Sequence, residues 1–114
     1  MEIHTTQQES HHLIRIVGDL DASSSIPVDM AIREILQQNE LQILLIDCRA
    51  LAYISSAGLG VFMSYLNEFE QKRIGFALFG MSPKVHNVFE MLGLDQLMLL
   101  CTDEQEALQK IHAL

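Results

Sequence analysis

The stretch Tyr53-Ile54-Ser55-Ser56-Ala57-Gly58-Leu59-Gly60-Val61-Phe62 sets two hydroxyls beside two glycines, between apolar runs on either side. Four kinds of chemistry use such a stretch. A nucleophile elbow is a strand, a sharp turn and a helix with the pattern G-x-S-x-G. Around Ser56 the frame is Ile54-Ser55-Ser56-Ala57-Gly58, which lacks the first glycine, and the histidines that follow, His86 and His112, lie in a helical stretch and near the tail. A dinucleotide cradle needs G-x-G-x-x-G and an acid after the next strand. Here Met63 stands at the third glycine position, and the next strand ends in Gly80. A helix cap needs only a serine oxygen that accepts a backbone N–H, and either Ser55 or Ser56 supplies it. Capping leaves Gly58 and Gly60 unexplained, because glycine within a helix costs about 1 kcal/mol relative to alanine.

The fourth chemistry is a phosphorylation switch. A hydroxyl at a helix N-terminus lies in a field that favours negative charge. A phosphate there adds about −1.5 to −2 charge and three acceptor oxygens. The domain tolerates it, whereas a partner packed on that helix with its own carboxylates or apolar surface does not. Bare glycines suit close approach of a kinase or partner.

These residues need elements to place them. Leu13-Ile14-Arg15-Ile16-Val17, closed by Gly18, reads as a strand, with Ile3 to Gln7 as an edge strand beside it. Asp21 to Ser25 (DASSS) reads as a loop, and Pro27 suits the first turn of a helix whose inner face is Val28, Ala31, Ile32, Ile35 and Leu36. Gln37 to Glu40 end it. Leu41 to Asp47 is nearly all apolar, as in a strand buried on both faces of a parallel sheet. A short connection leads to Tyr53. Leu59, Phe62, Met63, Leu66 and Phe69 then recur at helical spacing, and Ile74 to Phe79 is another buried strand. Ser82-Pro83 opens a helix with inner stripe Val85, Val88, Phe89 and Leu92, capped by Gly93. Leu97 to Leu100 is a last strand, and Thr102 with Gln105 fits a capping box for a final helix facing inward through Ala107, Leu108 and Ile111. Alternation of this kind predicts an α/β fold: a small mixed or parallel β-sheet of about four to five strands with about four helices packed on it, in one domain over residues 1–114. In such sheets functional groups collect where strands end and helices begin.

Composition narrows the partners. The chain has 114 residues, 49% hydrophobic and 19% charged, with seven Lys and Arg against fifteen Asp and Glu for a formal net charge of −8. That field repels nucleic acid and an anionic membrane surface. No apolar run approaches the roughly 18 residues that span a bilayer, and the polar start MEIHTTQQESHH offers no signal segment, so a cytoplasmic protein without membrane insertion is expected. Cys48 and Cys101 sit in apolar surroundings without C-x-x-C and read as reduced, buried thiols. His4, His11 and His12 read as surface or edge residues, since adjacent strand residues face opposite ways and no acid or Cys completes a metal set. The methionines Met30, Met63, Met81, Met91 and Met98 are dispersed and read as gap fillers, with Met81 also placed to touch a partner.

Several motifs, taken together, resemble the STAS domain family of the bacterial anti-sigma factor antagonist type. Gly18-Asp19-Leu20-Asp21 is similar to the G-E/D-L/I-D after the family's second strand, and Leu44-Leu45-Ile46-Asp47 to its central strand. Ser55-Ser56-Ala57-Gly58-Leu59-Gly60 resembles the D-S-S/T-G-L-G signature, and Gly80-Met81-Ser82-Pro83-Lys84-Val85 with Met91-Leu92-Gly93-Leu94 its later turn and helix. The resemblance implies a protein that is no enzyme and carries no cofactor or metal. It implies an anti-sigma factor serine kinase that binds the unmodified form, freeing a sigma factor and so regulating transcription by partner switching. Phosphorylation of Ser56, with Ser55 the neighbouring alternative, ends that binding, and a phosphatase resets it. The implied partner-binding residues are Asp21, Ser55, Ser56, Ala57, Gly58, Leu59, Gly60 and Met81. Two positions depart from the signature: Ser55 stands where the family often has Asp, and Ala57 where it often has Ser or Thr. The altered signature also suits a second role of STAS domains, a non-phosphorylated subunit docked on the ATPase of a lipid-trafficking ABC transporter.

Overall fold

The structure is a computed structural model and describes residues 1–8, 11–38 and 40–113. In chain order the strands are β1 (Glu2–Gln7), β2 (His12–Leu20), β3 (Ile43–Asp47), β4 (Leu51–Ile54), β5 (Gly75–Phe79) and β6 (Leu99–Cys101). The helices are α1 (Ala22–Leu36), α2 (Ser56–Gln71), α3 (Pro83–Met91) and α4 (Glu104–His112), with a 3-10 turn at Leu94–Gln96. The strands pair in the order β1-β2-β3-β5-β6, with only the β1–β2 pair antiparallel. This is the expected mixed α/β sheet with four helices. The addition is β4, which the sequence presents as a connection. β4 pairs in parallel with the C-terminal end of β2, Leu20 opposite Ile54, across a register shift at Gly18 and Asp19.

The buried strands β3 and β5 supply both faces of the sheet, which is why they read as unbroken apolar runs. On one face Ile14, Ile16, Leu44, Ile46 and Leu78 pack with Val28, Ile32, Leu59, Phe62, Val85 and Phe89, so α1, α2 and α3 share that side. On the other, Leu13, Ile43, Leu45, Ala77, Phe79 and Cys101 pack with Ala107 of α4.

Several boundaries move. Asp21 to Ser25 is not a loop: α1 begins at Ala22, because Asp21 Oδ1 accepts the N–H groups of Ser23 and Ser24, both at 3.1 Å, while Ser24 Oγ accepts Asp21 N–H at 2.8 Å. This reciprocal cap satisfies the orphan donors a turn before Pro27, which lies inside the helix. α1 ends at Leu36, and Asn39 lies outside the described residues. The last cap is also displaced by one residue. Asp103 Oδ1, not Thr102, accepts Glu106 N–H at 2.8 Å, and Glu106 rather than Gln105 takes the Thr102 N–H. β6 runs later than expected, since the 3-10 turn leaves Leu97 exposed. Just past α3, Leu92 turns outward at 60% exposure; in α2, Met63 is exposed and Tyr65 takes a buried place. Of the methionines, Met98 and Met81 fill gaps, whereas Met30, Met63 and Met91 are exposed.

The histidine expectation fails for two of three. His4 is exposed on β1, but His11 and His12 are buried. His11 Nε2 lies 2.7 Å from Glu104 Oε2, and His12 Nε2 lies 2.9 Å from Gln38 Oε1. They face opposite ways, as alternation requires, but each side is roofed by a helix end. Both cysteines are free and buried. Among the described residues no helix is long and apolar enough to cross a membrane.

Candidate functional site

The parallel strands place the C-terminal ends of β2, β3, β4 and β5 at one edge of the sheet, and the residues singled out from the sequence sit there. Asp21 follows β2, Asp47 ends β3, Ser55 follows β4, and Gly80 with Met81 follows β5. Two of these turns touch directly. Ser55 N–H donates to Leu20 O at 2.9 Å, so the N-termini of α1 and α2 rise side by side from adjoining strands.

The two serines take different tasks. Ser55 is the N-cap of α2, with extended backbone, and its Oγ accepts Gly58 N–H at 3.3 Å. Ser56 is the first helical residue and is exposed, and its hydroxyl bonds to none of the described residues. The hydroxyl therefore stands at the positive end of a 16-residue helix. Ala57 is exposed beside it.

The glycines also differ. A side chain at Gly58 would come within 2.7 Å of Leu20 Cγ and 3.0 Å of Leu20 O, so the absent side chain lets α2 seat on the end of β2. Gly60 faces open space. Gly58 is buried and Leu59 is only 3% exposed in the core. The sequence expectation that both face a partner therefore changes: they hold the helix in place, and the surface itself is Ser56, Ala57 and Gly60. Met81 lies at the same edge of the sheet, half-buried against the core.

Asp21 and Asp47 are held as carboxylates by different means. Hydrogen bonds from the side chain of Ser23, the N–H of Ser24 and the hydroxyl of Ser24 keep Asp21 below its ordinary range, so the acid serves α1 as its cap. Asp47 is 1% exposed. Burial pushes its carboxyl up, but the Arg49 guanidinium, at 3.0 and 2.8 Å, and the Arg49 N–H, at 3.0 Å, together outweigh burial and hold it below the ordinary value. Arg49 lies over the Phe79 ring, 5.5 Å from its centroid, and its stem occupies the space a side chain at Gly80 would need. That packing, with φ +78°, accounts for glycine at position 80.

A further polar link was not legible from the sequence. Tyr65 O–H donates to Asp29 Oδ1 at 2.6 Å, and Arg33 pairs with Asp29 Oδ2 at 3.0 Å, tying α2 to α1. The Asp29 and Arg33 spacing is visible as a helical pair. The Tyr65 end of the link, 36 residues away, has no local signal.

A parallel-rich sheet with helix N-termini gathered at the C-terminal ends of its strands, and an exposed serine on one of them, defines a small α/β module. The chain belongs to the STAS domain family, whose model matches residues 2–107. It is 30% identical over 107 residues to an anti-sigma-B factor antagonist of Listeria monocytogenes, spanning 93% of both chains. It is 28% identical over 106 residues to an anti-sigma F factor antagonist of Paenibacillus polymyxa, spanning 90% of this chain and 91% of that one. Among solved structures, the fold is similar to the anti-sigma factor antagonist SpoIIAA in its unphosphorylated form, with a TM-score of 0.81, 22% identity and coverage of 99% and 98% of the two chains. The phosphorylated form of SpoIIAA from Bacillus gives a TM-score of 0.72 at 22% identity, over 96% of this chain and 99% of that one.

Proposed function

We propose that this protein is an anti-sigma factor antagonist that binds an anti-sigma factor serine kinase and is released when Ser56 is phosphorylated. The observation that carries the reading is the division of labour between the two serines. Ser55 is committed to capping α2 through Gly58 N–H, while the Ser56 hydroxyl is exposed and unengaged. A kinase that replaces the Ser56 hydroxyl proton with a phosphoryl group breaks no capping bond. The phosphate then rests at the helix N-terminus, where the dipole stabilises it at about 0.3–1 kcal/mol, and the domain keeps its fold. The partner loses its seat, because about −1.5 to −2 charge now occupies a surface made of small residues. The relatives named as anti-sigma factor antagonists, aligned over nine-tenths of the chain, support this reading. The protein acts by binding, in the cytoplasm with the transcription machinery; the kinase brings the nucleotide, and a phosphatase restores the free hydroxyl.

The test is intact mass after incubation with the cognate anti-sigma kinase and ATP. Wild type gains one phosphate, Ser56→Ala gains none, and Ser55→Ala still gains one despite losing its cap. An unmodified wild type, or a Ser56→Ala variant modified equally, would falsify the switch; stable docking on a transporter ATPase instead would give the protein its other family role. Calorimetry adds an independent check: Ser56→Asp weakens kinase binding at least about tenfold, with the far-ultraviolet spectrum unchanged.

A further inference from the structure

The two edges of the sheet are not alike. β6 is three residues long, a length that itself limits edge pairing. β1 is six residues long, Glu2-Ile3-His4-Thr5-Thr6-Gln7, and among the described residues no strand lies on its outer side. Of the devices that protect an edge it carries one charge at its very start, with no Lys, no Pro, and no irregularity in its continuous register with β2. In a chain of net charge −8, this strand holds one formal charge, Glu2, which lies 3.4 Å from His4 Nε2.

We propose that the outer edge of β1 is a self-association surface, on which a second copy of this chain lays its own β1 antiparallel about a two-fold axis at Thr5. A two-fold normal to the sheet keeps every side chain on its own face, so directly opposed residues must be of the same parity. The axis at Thr5 sets Thr5 against Thr5, His4 against Thr6 and Ile3 against Gln7. Threonine pairs are favourable across antiparallel strands, and no like charges are opposed. The two Glu2 residues are then offset by six positions, about 20 Å, roughly twice the Debye length at physiological salt. An axis at His4 opposes two imidazoles and brings the Glu2 residues to about 14 Å, and an axis at Thr6 pairs only Thr5 to Gln7 of the strand, where the axis at Thr5 pairs Ile3 to Gln7. β4 pairs with the other side of β2, so the Ser56 turn of each copy stays open. The pairing therefore stands or falls independently of phosphorylation.

The experiment is light scattering with gel filtration on the full chain, over a concentration series to about 0.5 mM, the weak end of specific association. A dimer is expected at the upper concentrations. Thr5 is exposed, so Thr5→Lys keeps the monomer fold by circular dichroism. It places two lysines at the axis and weakens association about five- to tenfold. Thr5→Cys forms an interchain disulfide under mild oxidation, because opposed residues of an antiparallel pair lie about 4.5–5.5 Å apart, whereas Glu2→Cys forms none. A wild type that is monomeric throughout overturns the proposal. So does a dimer that Thr5→Lys leaves unchanged, or one in which Glu2→Cys cross-links as readily as Thr5→Cys.

Discussion

Gly58 and Gly60 stand two residues apart on one helix, and the sequence assigns both the same reason for being bare. The structure separates them. Adding a methyl at Gly58 meets Leu20 Cγ and the Leu20 carbonyl, and backbone cannot yield as a side-chain tip can. The clash outweighs the gain in helix propensity of about 1 kcal/mol, so Gly58→Ala lowers stability by about 1–2 kcal/mol in urea unfolding. At Gly60 nothing opposes a methyl. Gly60→Ala therefore raises stability by up to about 1 kcal/mol, while a calorimetric titration shows weaker partner binding if that bare spot is contacted. Arg73 offers the reverse case. It follows α2 with φ +57°, and Ile74 N–H returns to Phe69 O at 2.8 Å, a helix-closing turn that favours glycine. Arg73→Gly raises the unfolding free energy by about 0.5–1 kcal/mol, read from the urea midpoint.

The elements were legible where periodicity spans a dozen residues or more, and less so at their ends. Both misplaced helix starts have one cause. Asp21 and Asp103 are acids that cap, and each sits within two residues of a Ser or Thr that composition alone makes the equal candidate. β4 escaped detection because it is four residues long and buried only at Leu51 and Ile54, so it shows no alternation. The inner faces of α2 and α3 are legible in Leu59, Phe62, Phe69, Val85 and Phe89, which are buried as expected; only Met63 and Leu92 turn out to be exposed, because an exposed Met or Leu has the same hydropathy as a buried one. The relation between α1 and α2 rests on the Tyr65 link, which propensity cannot reveal. Tyr65→Phe keeps the ring stack with Phe69 but removes the bond to a charged acceptor, costing about 1–2 kcal/mol by thermal or urea unfolding. A loss under a few tenths of a kcal/mol would mean that Arg33 alone holds Asp29.

Across the whole molecule, the acidity excludes partners more than it names them, and the gathering of site residues at one sheet edge follows from strand direction, which the alternation of elements already implied. The buried Asp47 contributes to the pH dependence of this acidic protein. Its carboxyl is held below the ordinary value near 3.8, so the unfolded chain takes up protons first as pH falls. The stability that the Arg49 pair contributes is fully present above about pH 4–5 and is lost as pH falls through the folded value. Asp47→Asn is accordingly less stable than wild type at neutral pH, and its urea midpoint, followed by circular dichroism at a series of pH values, varies less with pH in that window.

The two cysteines make the molecule its own stopwatch. Cys48 is fully enclosed behind β3, and burial, reinforced by the Asp47 charge, pushes its thiol far up, so a maleimide or disulfide reagent reaches a reactive sulfur only when the sheet parts. Cys101 lies on the short edge strand β6, where peeling of a few residues suffices. Labelling both in one sample would time two openings at once, edge release and global separation, without adding any probe to the chain.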